Sequence, residues 1–512
     1  MPRPPFGLSL SKPSTNHKPF DKPRANGSAP NVLSLSKGKL SANGIVDMLK
    51  IIFLFLMASG LPVAIAMAGA SLIYILASGN QPGLTVIHRM IGGIDSFPLL
   101  AVPFFILAGN LMNNAGITNR IYNFALALVG WLKGGLGHVN VVGSVIFAGM
   151  SGTAIADAAG LGTVEIKAMK DHGYDLEFAV GVTAASATLG PIIPPSLPFV
   201  IYAMMANVSV GALFLAGILP GVLMALLMMA TVAYFAHKNG WGGDVKFSWP
   251  RIGRALMELA LVIVWPVGTW ALVNKLGMPV QPVVFGAIVS LFVLDRIFRF
   301  QAVLPIMTPV LLIGGMTTGL FTPTEGAIAA SAWALVLGLL WYRTMSWKMF
   351  VKVSLDTVET TATVMFIVAA ASIFGWMLTA TGVTAQIAEW VLAVTKNPWL
   401  FLLMANLLML FVGCFLEPTA AITILVPILL PICHKLGVDP VHFGLVMVLN
   451  LMIGLLHPPM GMVLFVLARV AKLSVERTTM AILPWLVPLL LSLVILTYIP
   501  AISLWLPRTM GF

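Results

Sequence analysis

The chain has 512 residues, of which 59% are hydrophobic and only 9% are charged, and its mean hydropathy is +0.97. Soluble proteins carry about 25% charged residues, so this composition excludes an ordinary soluble domain and predicts an all-α protein that crosses the lipid bilayer many times. The net charge of +11 is explained by basic membrane-flanking loops and a basic tail rather than by nucleic-acid binding. Cys414 and Cys433 lie in apolar sequence and indicate neither a zinc site nor a disulfide framework.

Residues 1–47 differ in composition from everything that follows. They are rich in Pro, Ser, Asn and Lys and contain the sequence Leu-Ser-Leu-Ser-Lys twice, which predicts a disordered basic segment. Two interpretations remain open: a basic cytoplasmic tail, or an upstream start choice with Met48 as the true beginning. The second is favoured because apolar sequence starts directly after Met48.

Apolar runs divide the rest of the chain into two halves and a connecting region. In the first half, 48–236, the predicted membrane segments are 49–78, 96–114, 121–132, 139–170, 178–206 and 211–236. The first of these either crosses once or is split by Gly60-Leu61-Pro62. The connecting region, 237–320, begins with a basic loop that is expected to be cytoplasmic, followed by 255–273, 282–294 and 303–320. In the second half, 321–512, the predicted segments are 326–341, 354–379, 385–394, 398–436, 442–470 and 480–506.

Two segments of the first half are predicted to be interrupted. Segment 139–170 is apolar on both sides of Ser151-Gly152-Thr153, and each side is too short to span comfortably, so it predicts a re-entrant hairpin. Segment 178–206 contains Gly190-Pro191-Ile192-Ile193-Pro194-Pro195-Ser196, which breaks a helix. At membrane depth, broken backbone is tolerated only inside protein or beside water, where freed carbonyls can bind an ion and helix N-termini can face an anion.

The same layout recurs after a shift of 264 residues. Gly190, Pro194 and Pro195 then coincide with Gly454, Pro458 and Pro459, and the intervening spacing needs no gap. The second copy therefore predicts a hairpin over 398–436 with its tip at Glu417-Pro418-Thr419, and a broken helix over 442–470. Paired interrupted segments in two halves of a chain indicate the binding site of a secondary transporter.

The tips and breaks supply the candidate residues for sodium and substrate binding. These are Ser151, Gly152, Thr153, Asp157, Gly190, Ile193, Pro194, Pro195 and Ser196 in the first half, and Glu417, Pro418, Thr419, Gly454, His457, Pro458 and Pro459 in the second. Hydroxyl and backbone oxygens suit a hard cation, whereas the prolines hold the breaks open. An acidic side chain inside a membrane is energetically costly and therefore indicates a functional role. Alternatively, Asp157 sits at a helix N-terminus, and Glu417 orients its hairpin or faces water.

Other polar residues are assigned structural or solvent-facing positions. In Phe-Thr-Pro-Thr-Glu at 321–325, Thr324 is expected to cap the helix 326–341, with Glu325 in its first turn, and Pro323 and Glu325 are both assigned structural roles. The charged run after the first tip is expected to face the aqueous mouth of the hairpin; it consists of Glu165, Lys167, Lys170, Asp171 and His172.

Four motifs together resemble a known family. Ser-Gly-Thr-Ala-Ile-Ala-Asp-Ala-Ala at 151–159, Gly-Pro-Ile-Ile-Pro-Pro-Ser at 190–196, Phe-Thr-Pro-Thr-Glu at 321–325 and Gly-Leu-Leu-His-Pro-Pro-Met-Gly at 454–461 resemble signatures of the large membrane subunit of tripartite ATP-independent periplasmic (TRAP) transporters. The resemblance implies a multi-pass protein of the bacterial inner membrane that imports a small organic acid with a sodium gradient and has no cofactor beyond that ion. It also implies two partners, a periplasmic binding protein and a small four-helix subunit on a separate chain. The hairpins and broken helices would be inverted repeats forming an elevator-type transport domain against a scaffold.

The chain departs from the family layout between about Leu256 and Pro305, where about 40 additional residues predict two extra scaffold helices. An alternative function is a stand-alone divalent-anion/sodium symporter with similar hairpins, which would need no binding protein. A polytopic membrane enzyme is a remote alternative, because no catalytic motif is found. The sequence does not specify the substrate.

Overall fold

The computed structural model describes residues 42–79, 81–276, 280–300, 302–317, 320–457 and 461–512. Residues 1–41, most of the predicted disordered segment, lie outside these ranges. Every element within them is helical, as predicted. Within these ranges, seven helical stretches are long and apolar enough to cross a membrane: Phe97–Asn114, Val210–Asn239, Trp249–Thr269, Pro323–Trp341, Trp347–Ala380, Pro418–Leu436 and Val475–Tyr498.

The first half contains eleven α-helices and one 3₁₀ helix, Phe97–Leu100, within the described ranges. The α-helices are α1 Ala42–Ala58, α2 Val63–Ser78, α3 Leu84–Ile94, α4 Ala101–Asn114, α5 Ile117–Val129, α6 Gly135–Ser151, α7 Ala154–Ala159, α8 Leu161–Asp171, α9 Leu176–Ala187, α10 Leu197–Ala206 and α11 Val210–Asn239. Helix α1 begins before Met48, and the apolar run 49–78 is two helices. Gly60, at φ +84°, makes the turn between them, and Pro62 precedes α2.

The connecting region and second half contain twelve α-helices within the described ranges, and a π-helical segment, Val336–Trp341, continues α15. The helices are α12 Trp249–Leu276, α13 Val280–Phe298, α14 Val303–Thr317, α15 Pro323–Leu335, α16 Trp347–Ala380, α17 Val383–Val394, α18 Pro398–Gly413, α19 Pro418–Leu436, α20 Pro440–Gly454, α21 Met462–Ala471, α22 Val475–Tyr498 and α23 Pro500–Thr509.

The additional helices are α12 and α13, and both are longer than the runs that predicted them. The indole Nε1 of Trp265 on α12 donates to the carbonyl of Ala287 on α13 at 3.1 Å. Asp295 on α13 accepts a 2.7 Å hydrogen bond from Nε1 of Trp341, at the end of the π-helical segment. The first bond joins the two inserted helices to each other, and the second attaches them to the π-helical continuation of α15.

Each half contains a hairpin and a broken helix. The first hairpin is α6 followed by α7 and α8, and it turns at Gly152, whose φ of +64° suits a residue without a Cβ. Its second arm is interrupted at Gly160, which the sequence did not predict. The second hairpin is α18 and α19, and the broken helices are α9 with α10 and α20 with α21.

The helix boundaries of the two halves correspond at the 264-residue shift. Adding 264 to the first residues of α7 and α9 gives Pro418 and Pro440, the first residues of α19 and α20. Adding it to the first residue of α10 gives Gly461, one residue before α21. The starts of these three helices therefore recur in the second half, to within one residue, at a spacing of 264.

The two broken helices run in opposite directions. Tyr202, near the end of α10, donates a 2.7 Å hydrogen bond to the carbonyl of Pro440, at the start of α20. At the opposite end of the molecule, Arg477 lies 3.2 Å from Glu177, which joins the start of α22 to the start of α9. We call the end that holds Glu177 and Arg477 the first face and the end that holds Pro440 the second face. Helix α20 is buried from His442 to Gly454, as expected for a helix that is apolar all round.

Candidate functional site

A cavity of about 380 Å³ lies where both hairpin tips meet. The first tip contributes Ser151 and Thr153, and the second contributes Glu417, Pro418 and Thr419. Residues 264 positions apart in the chain, such as Thr153 and Glu417, are thus brought to one place. The volume falls in the range of small-molecule sites.

Each tip packs directly against the break of its own half. A Cβ added to Gly152 would lie 2.6 Å from the carbonyl oxygen of Pro195, and one added to Gly190 would lie 3.0 Å from that of Thr153. In the second half, a Cβ on Gly454 would lie 2.6 Å from the carbonyl carbon of Gly413. Only glycine permits these backbone approaches, in which a backbone carbonyl group of one segment lies against a glycine of the other.

Three helices of ten residues or more begin at the cavity. Helices α10, α19 and α21 open with Leu197, Pro418 and Met462, and each of these residues lines the cavity. The short helix α7 begins there too, at Ala154. Helix N-termini carry a partial positive charge and unpaired N–H groups, so their convergence favours an anion.

The side chains at the tips cap these helices. Thr153 Oγ1 accepts a 3.3 Å hydrogen bond from the Ala156 amide at the start of α7. Glu417 accepts one from the Ala420 amide at 3.3 Å and one from the Thr419 hydroxyl at 2.7 Å. Glu417 is the only acidic or basic side chain among the described residues that line the cavity.

Ser151 has a buried hydroxyl that nothing in the described chain satisfies. The side chain is 4% exposed, and its Oγ forms no hydrogen bond to the described residues. A buried hydroxyl without a partner is costly, which is consistent with a ligand that completes its coordination.

Helices outside the hairpins also line the cavity, and the sequence did not predict their part in it. Helix α4 contributes Asn110 and Asn113, and α16 contributes Thr360. Asn110 Nδ2 donates to Thr357 Oγ1 of α16 at 3.1 Å, and Asn113 Nδ2 donates to the Ala156 carbonyl of α7 at 3.3 Å. The polar residues of α4 therefore connect the first hairpin to the surrounding helices.

Several predicted site residues lie away from the cavity wall. Asp157 is 1% exposed and lies behind the first tip, and Ser196 is fully buried, where its Oγ accepts from the Phe199 amide and caps α10. Ile193 packs against α11 at Gly221, and His457 is exposed beyond the cavity lining. Pro458 and Pro459 lie outside the described residues.

Two expectations about polar residues were wrong. Glu165 does not face water: it is 1% exposed, whereas its neighbours Lys167, Lys170, Asp171 and His172 are exposed. The helix that begins at Pro323 is capped by Thr322 instead of Thr324. The Thr322 hydroxyl accepts from the Glu325 amide at 3.3 Å, and Glu325 Oε2 accepts from the Thr322 amide at 2.8 Å. This reciprocal pair is a capping box, so Glu325 is structural.

The base of the first hairpin is attached to the loop that follows α11. Asp244 Oδ2 accepts from the Leu136 amide at 2.8 Å and from the Tyr174 hydroxyl at 2.6 Å. Burial and the neighbouring Asp244 carboxylate raise the pKa of the Tyr174 hydroxyl, so it remains a donor. The Gly134 amide donates to the Gly242 carbonyl at 2.9 Å. We refer to residues 242–245 as the stitched loop.

Comparison with known proteins identifies a family. Residues 50–502 match the family model described as "Tripartite ATP-independent periplasmic transporter, DctM component". The chain is 41% identical to the sialic acid TRAP transporter large permease protein SiaM of Vibrio cholerae, over 89% of this chain and 97% of that one. It is 32% identical to the C4-dicarboxylate TRAP transporter large permease protein DctM of Rhodobacter capsulatus, over 89% and 97%.

Two further comparisons concern architecture. The chain is 38% identical to the sialic acid TRAP transporter permease protein SiaT of Haemophilus influenzae, but it spans 67% of that longer protein. Among solved structures, the Alcanivorax borkumensis YdaH transporter superposes with a TM-score of 0.55 at 15% identity, covering 83% of this chain and 88% of that one. At that identity the likeness concerns the fold alone.

Proposed function

The chain belongs to the DctM family, the large permeases of TRAP transporters, and from this premise we propose that it imports a carboxylate-bearing organic acid together with sodium ions. The protein is a transporter and not an enzyme, and it is a multi-pass protein of the inner membrane. The substrate class, the coupling ion and the mode of movement belong to the proposal.

The observation that carries the proposal is the cavity between the two hairpin tips. Three substantial helix N-termini converge on a space lined by hydroxyls and amides, among which the described residues place no Lys, Arg or His. An organic anion in that space is stabilised by helix dipoles and N–H groups, and cations bound beside it offset its remaining charge.

The sodium sites are assigned to the contacts between tips and breaks. In the first half the donors are Ser151 Oγ, which has no hydrogen-bond partner among the described residues, the Thr153 hydroxyl, and the carbonyls of Thr153 and Pro195, which approach Gly190 and Gly152. In the second half they are the backbone around Gly413 and Gly454 and the side chain of Thr419. Oxygen donors of this kind suit a hard monovalent cation.

Sialic acid is the first substrate to test, and a C4-dicarboxylate is the second. The relatives at 41% and 38% identity are named for sialic acid, and the relative at 32% is named for C4-dicarboxylates. Each ligand carries the carboxylate that the helix N-termini favour.

The charge distribution gives the orientation in the membrane. Helices α9, α12, α16 and α22 begin at the first face, and α11 and α13 end there. Most basic residues of the described chain lie near these helix termini. They are Lys167, Lys170, Lys238, Lys246, Arg251, Arg254, Arg296, Arg299, Arg343, Lys348, Lys352, Arg469, Lys472 and Arg477. By the positive-inside rule the first face is cytoplasmic. The first hairpin then enters from the cytoplasm and the second from the periplasm.

We assign transport to an elevator movement of the two hairpins and the two broken helices. These elements contact one another through glycines at their tips and breaks, whereas α4 and α16 approach from outside through Asn110, Asn113 and Thr360. Polar contacts of this kind can break and re-form as the hairpins and broken helices slide past α4 and α16. The proposed partners are a periplasmic binding protein and a small membrane subunit on a separate chain, in keeping with the tripartite description of the family.

The test is uptake by the reconstituted system. Liposomes holding this chain and its small subunit receive a sodium gradient, the binding protein and radiolabelled sialic acid or succinate. We expect sodium-dependent uptake of one of them that requires the binding protein. Uptake without the binding protein would support the stand-alone symporter, and uptake that ignores sodium would contradict the coupling.

A further inference from the structure

A carboxyl group that the cavity does not use lies in the middle of the first hairpin. Glu165, on α8, is 1% exposed. Its Oε2 accepts a 2.7 Å hydrogen bond from Asn140 Nδ2 on α6, while its Oε1 is buried without a hydrogen-bond partner in the described chain. Asp157, on α7, is equally buried; Ser144 of α6 lies beside it, but neither Asp157 oxygen forms a hydrogen bond of full geometry within the described residues. Among the hydrogen bonds of the described chain, one is made to these two buried carboxyl groups, and it is the bond that Asn140 donates to Glu165.

No basic side chain of the described residues forms an ion pair with either acid. Two ion pairs elsewhere in the described chain join Arg477 to Glu177 and Arg508 to Asp439. An ionised carboxylate that is removed from water without a counter-charge is strongly destabilised, and such groups bind a cation or become neutral. The geometry therefore requires a cation, either a metal ion or a proton, at this position.

The second hairpin has no acids at the corresponding positions. At the 264-residue shift, Asp157 and Glu165 correspond to Ala421 and Leu429, which are 0% and 4% exposed. The second hairpin, whose second arm α19 is continuous, thus has two buried apolar side chains in these positions. A pair of buried acids that packing does not require, and that burial penalises, indicates a ligand.

A polar bond between hairpin and broken helix is present in both halves and does not explain the acids. In the first half, Ser186 Oγ of α9 donates to Asn140 Oδ1 at 2.7 Å. In the second half, Asn450, which corresponds to Ser186, donates through Nδ2 to Asn406 Oδ1 at 2.7 Å. The second half makes this bond with no acid beside it, so the acids of the first half have a separate role.

The surroundings of Glu165 fit a proton better than a metal ion. Asn140 has no donor left, because its Nδ2 donates both to Glu165 and to Thr183 Oγ1, the latter at 2.8 Å. Gly143 leaves room beside Oε1, since a Cβ there would lie 2.8 Å from that oxygen. Asn140, Gly143 and Glu165 all lie inside regular helices, whose carbonyls are engaged, whereas a sodium ion needs several free oxygens at once.

We propose that Glu165 is a proton-binding site of the first hairpin, built by Asn140, Gly143 and the neighbouring Asp157. The proton comes from water, bonds to the Glu165 carboxylate, and is the only species that binds or leaves. Tyr122 of α5 is the other titratable side chain whose surroundings include Glu165. With the proton bound, the hairpin moves through the membrane without carrying an uncompensated charge at this position. The inference does not depend on the substrate or on sodium coupling.

Infrared spectroscopy of the purified complex tests the proposal directly. The chain and its small subunit are placed in lipid nanodiscs at pH 7, and the spectrum of Glu165→Gln is subtracted from that of the unaltered protein. We expect the carbonyl stretch of a protonated carboxyl group, shifted to lower frequency in D2O and absent from the variant. A difference spectrum that contains only carboxylate bands would overturn the proposal. Glu389→Gln, at an exposed glutamate of α17, is the control and should remove only carboxylate bands.

Two further measurements distinguish a bound proton from a bound metal ion and from a purely structural role. The protonated band should remain when sodium chloride replaces choline chloride; its conversion to a carboxylate band by sodium would make Glu165 a metal ligand and overturn the proposal. The double variant Asp157→Ala, Glu165→Leu reproduces the residues of the second hairpin. We expect it to fold, with an unfolding temperature at least equal to that of the unaltered protein. If it fails to fold, the acids are required for structure and the proposal is wrong.

Discussion

Gly413 and Gly454 meet backbone to backbone: a Cβ on Gly454 would lie 2.6 Å from the carbonyl carbon of Gly413 and 2.9 Å from its oxygen. Gly413 is the last residue of α18, the first arm of the second hairpin, and Gly454 is the last residue of α20, the first part of the second broken helix. The contact fixes the distance between tip and break, and so the positions of the carbonyls that we assign to sodium.

Replacing Gly454 by Ala should therefore abolish most sodium-driven uptake. The added methyl group overlaps backbone, which cannot rotate away, and overpacking of this kind costs about 1–3 kcal/mol. Uptake by reconstituted liposomes and the unfolding temperature are the measurements. Gly253→Ala is the matched control, because nothing lies within 4 Å of that position, and it should retain full uptake. Normal uptake by Gly454→Ala would contradict the assigned contact.

Thr153→Val and Thr419→Val should each raise the sodium concentration for half-maximal uptake. Each change removes a hydroxyl at a tip while keeping the shape, and the second also removes the 2.7 Å hydrogen bond to Glu417. Loss of one oxygen donor to a cation corresponds to about a tenfold weaker affinity. Thr163→Val, at an exposed residue of α8, is the control. Unchanged sodium dependence in both tip variants would exclude the hydroxyls and leave the backbone carbonyls as ligands.

Asn406→Ala should lower the stability of the protein more than an exposed substitution does. Asn406 Nδ2 donates to Thr497 Oγ1 at 3.0 Å, and its Oδ1 accepts from Asn450, so the variant loses both bonds and leaves a buried amide unpaired. The expected loss is about 2 kcal/mol, measured as a lower unfolding temperature in detergent. Asn119→Ala, at an exposed position, should have little effect. Equal unfolding temperatures for the two variants would show that the buried network is not stabilising.

A cysteine at Ile155 should report the elevator movement. Ile155 lines the cavity and is 38% exposed, whereas Ser151 is 4% exposed behind α4 and is a poorer reporter. With Cys414 and Cys433 replaced by Ala, a membrane-impermeant thiol reagent should reach the new cysteine from one side, and sodium with substrate should change the labelled fraction. A ligand shifts only those states that it binds differently. Labelling from one side under every condition, with uptake intact, would favour a gate around a fixed site.

The parts of the site that the sequence predicted are those where the backbone itself is interrupted. Gly152, Pro195 and Thr419 were predicted because glycine, proline and threonine stand out in apolar sequence. Asn110 and Thr360 were not, because they lie inside continuous helices. The hydrogen bond that joins Asn110 to α16 is made to Thr357, which lies 247 positions away in the chain.

Glu165 shows a signal that was present and not used. Its charged neighbours suggested an aqueous position, but in an α-helix residues four apart share a face. Leu161, Glu165 and Met169 are all buried, so helical spacing would have placed the acid inside. The interruption at Gly160 had no such signal: a Cβ there would lie 2.7 Å from Nδ2 of Asn113, a tertiary contact that local sequence does not encode.

The stitched loop limits how far the first hairpin can travel. Its residues stay with the hairpin base as long as the bonds to Asp244 hold, and α12 begins at Trp249, only four residues after Val245. Four residues extend at most about 14 Å, at roughly 3.5 Å each. If α12 is stationary, the length of this four-residue connection limits the distance between the hairpin base and the start of α12. A larger movement of the hairpin has to break the hydrogen bonds that Leu136 and Tyr174 donate to Asp244. These bonds therefore set the limit of the movement.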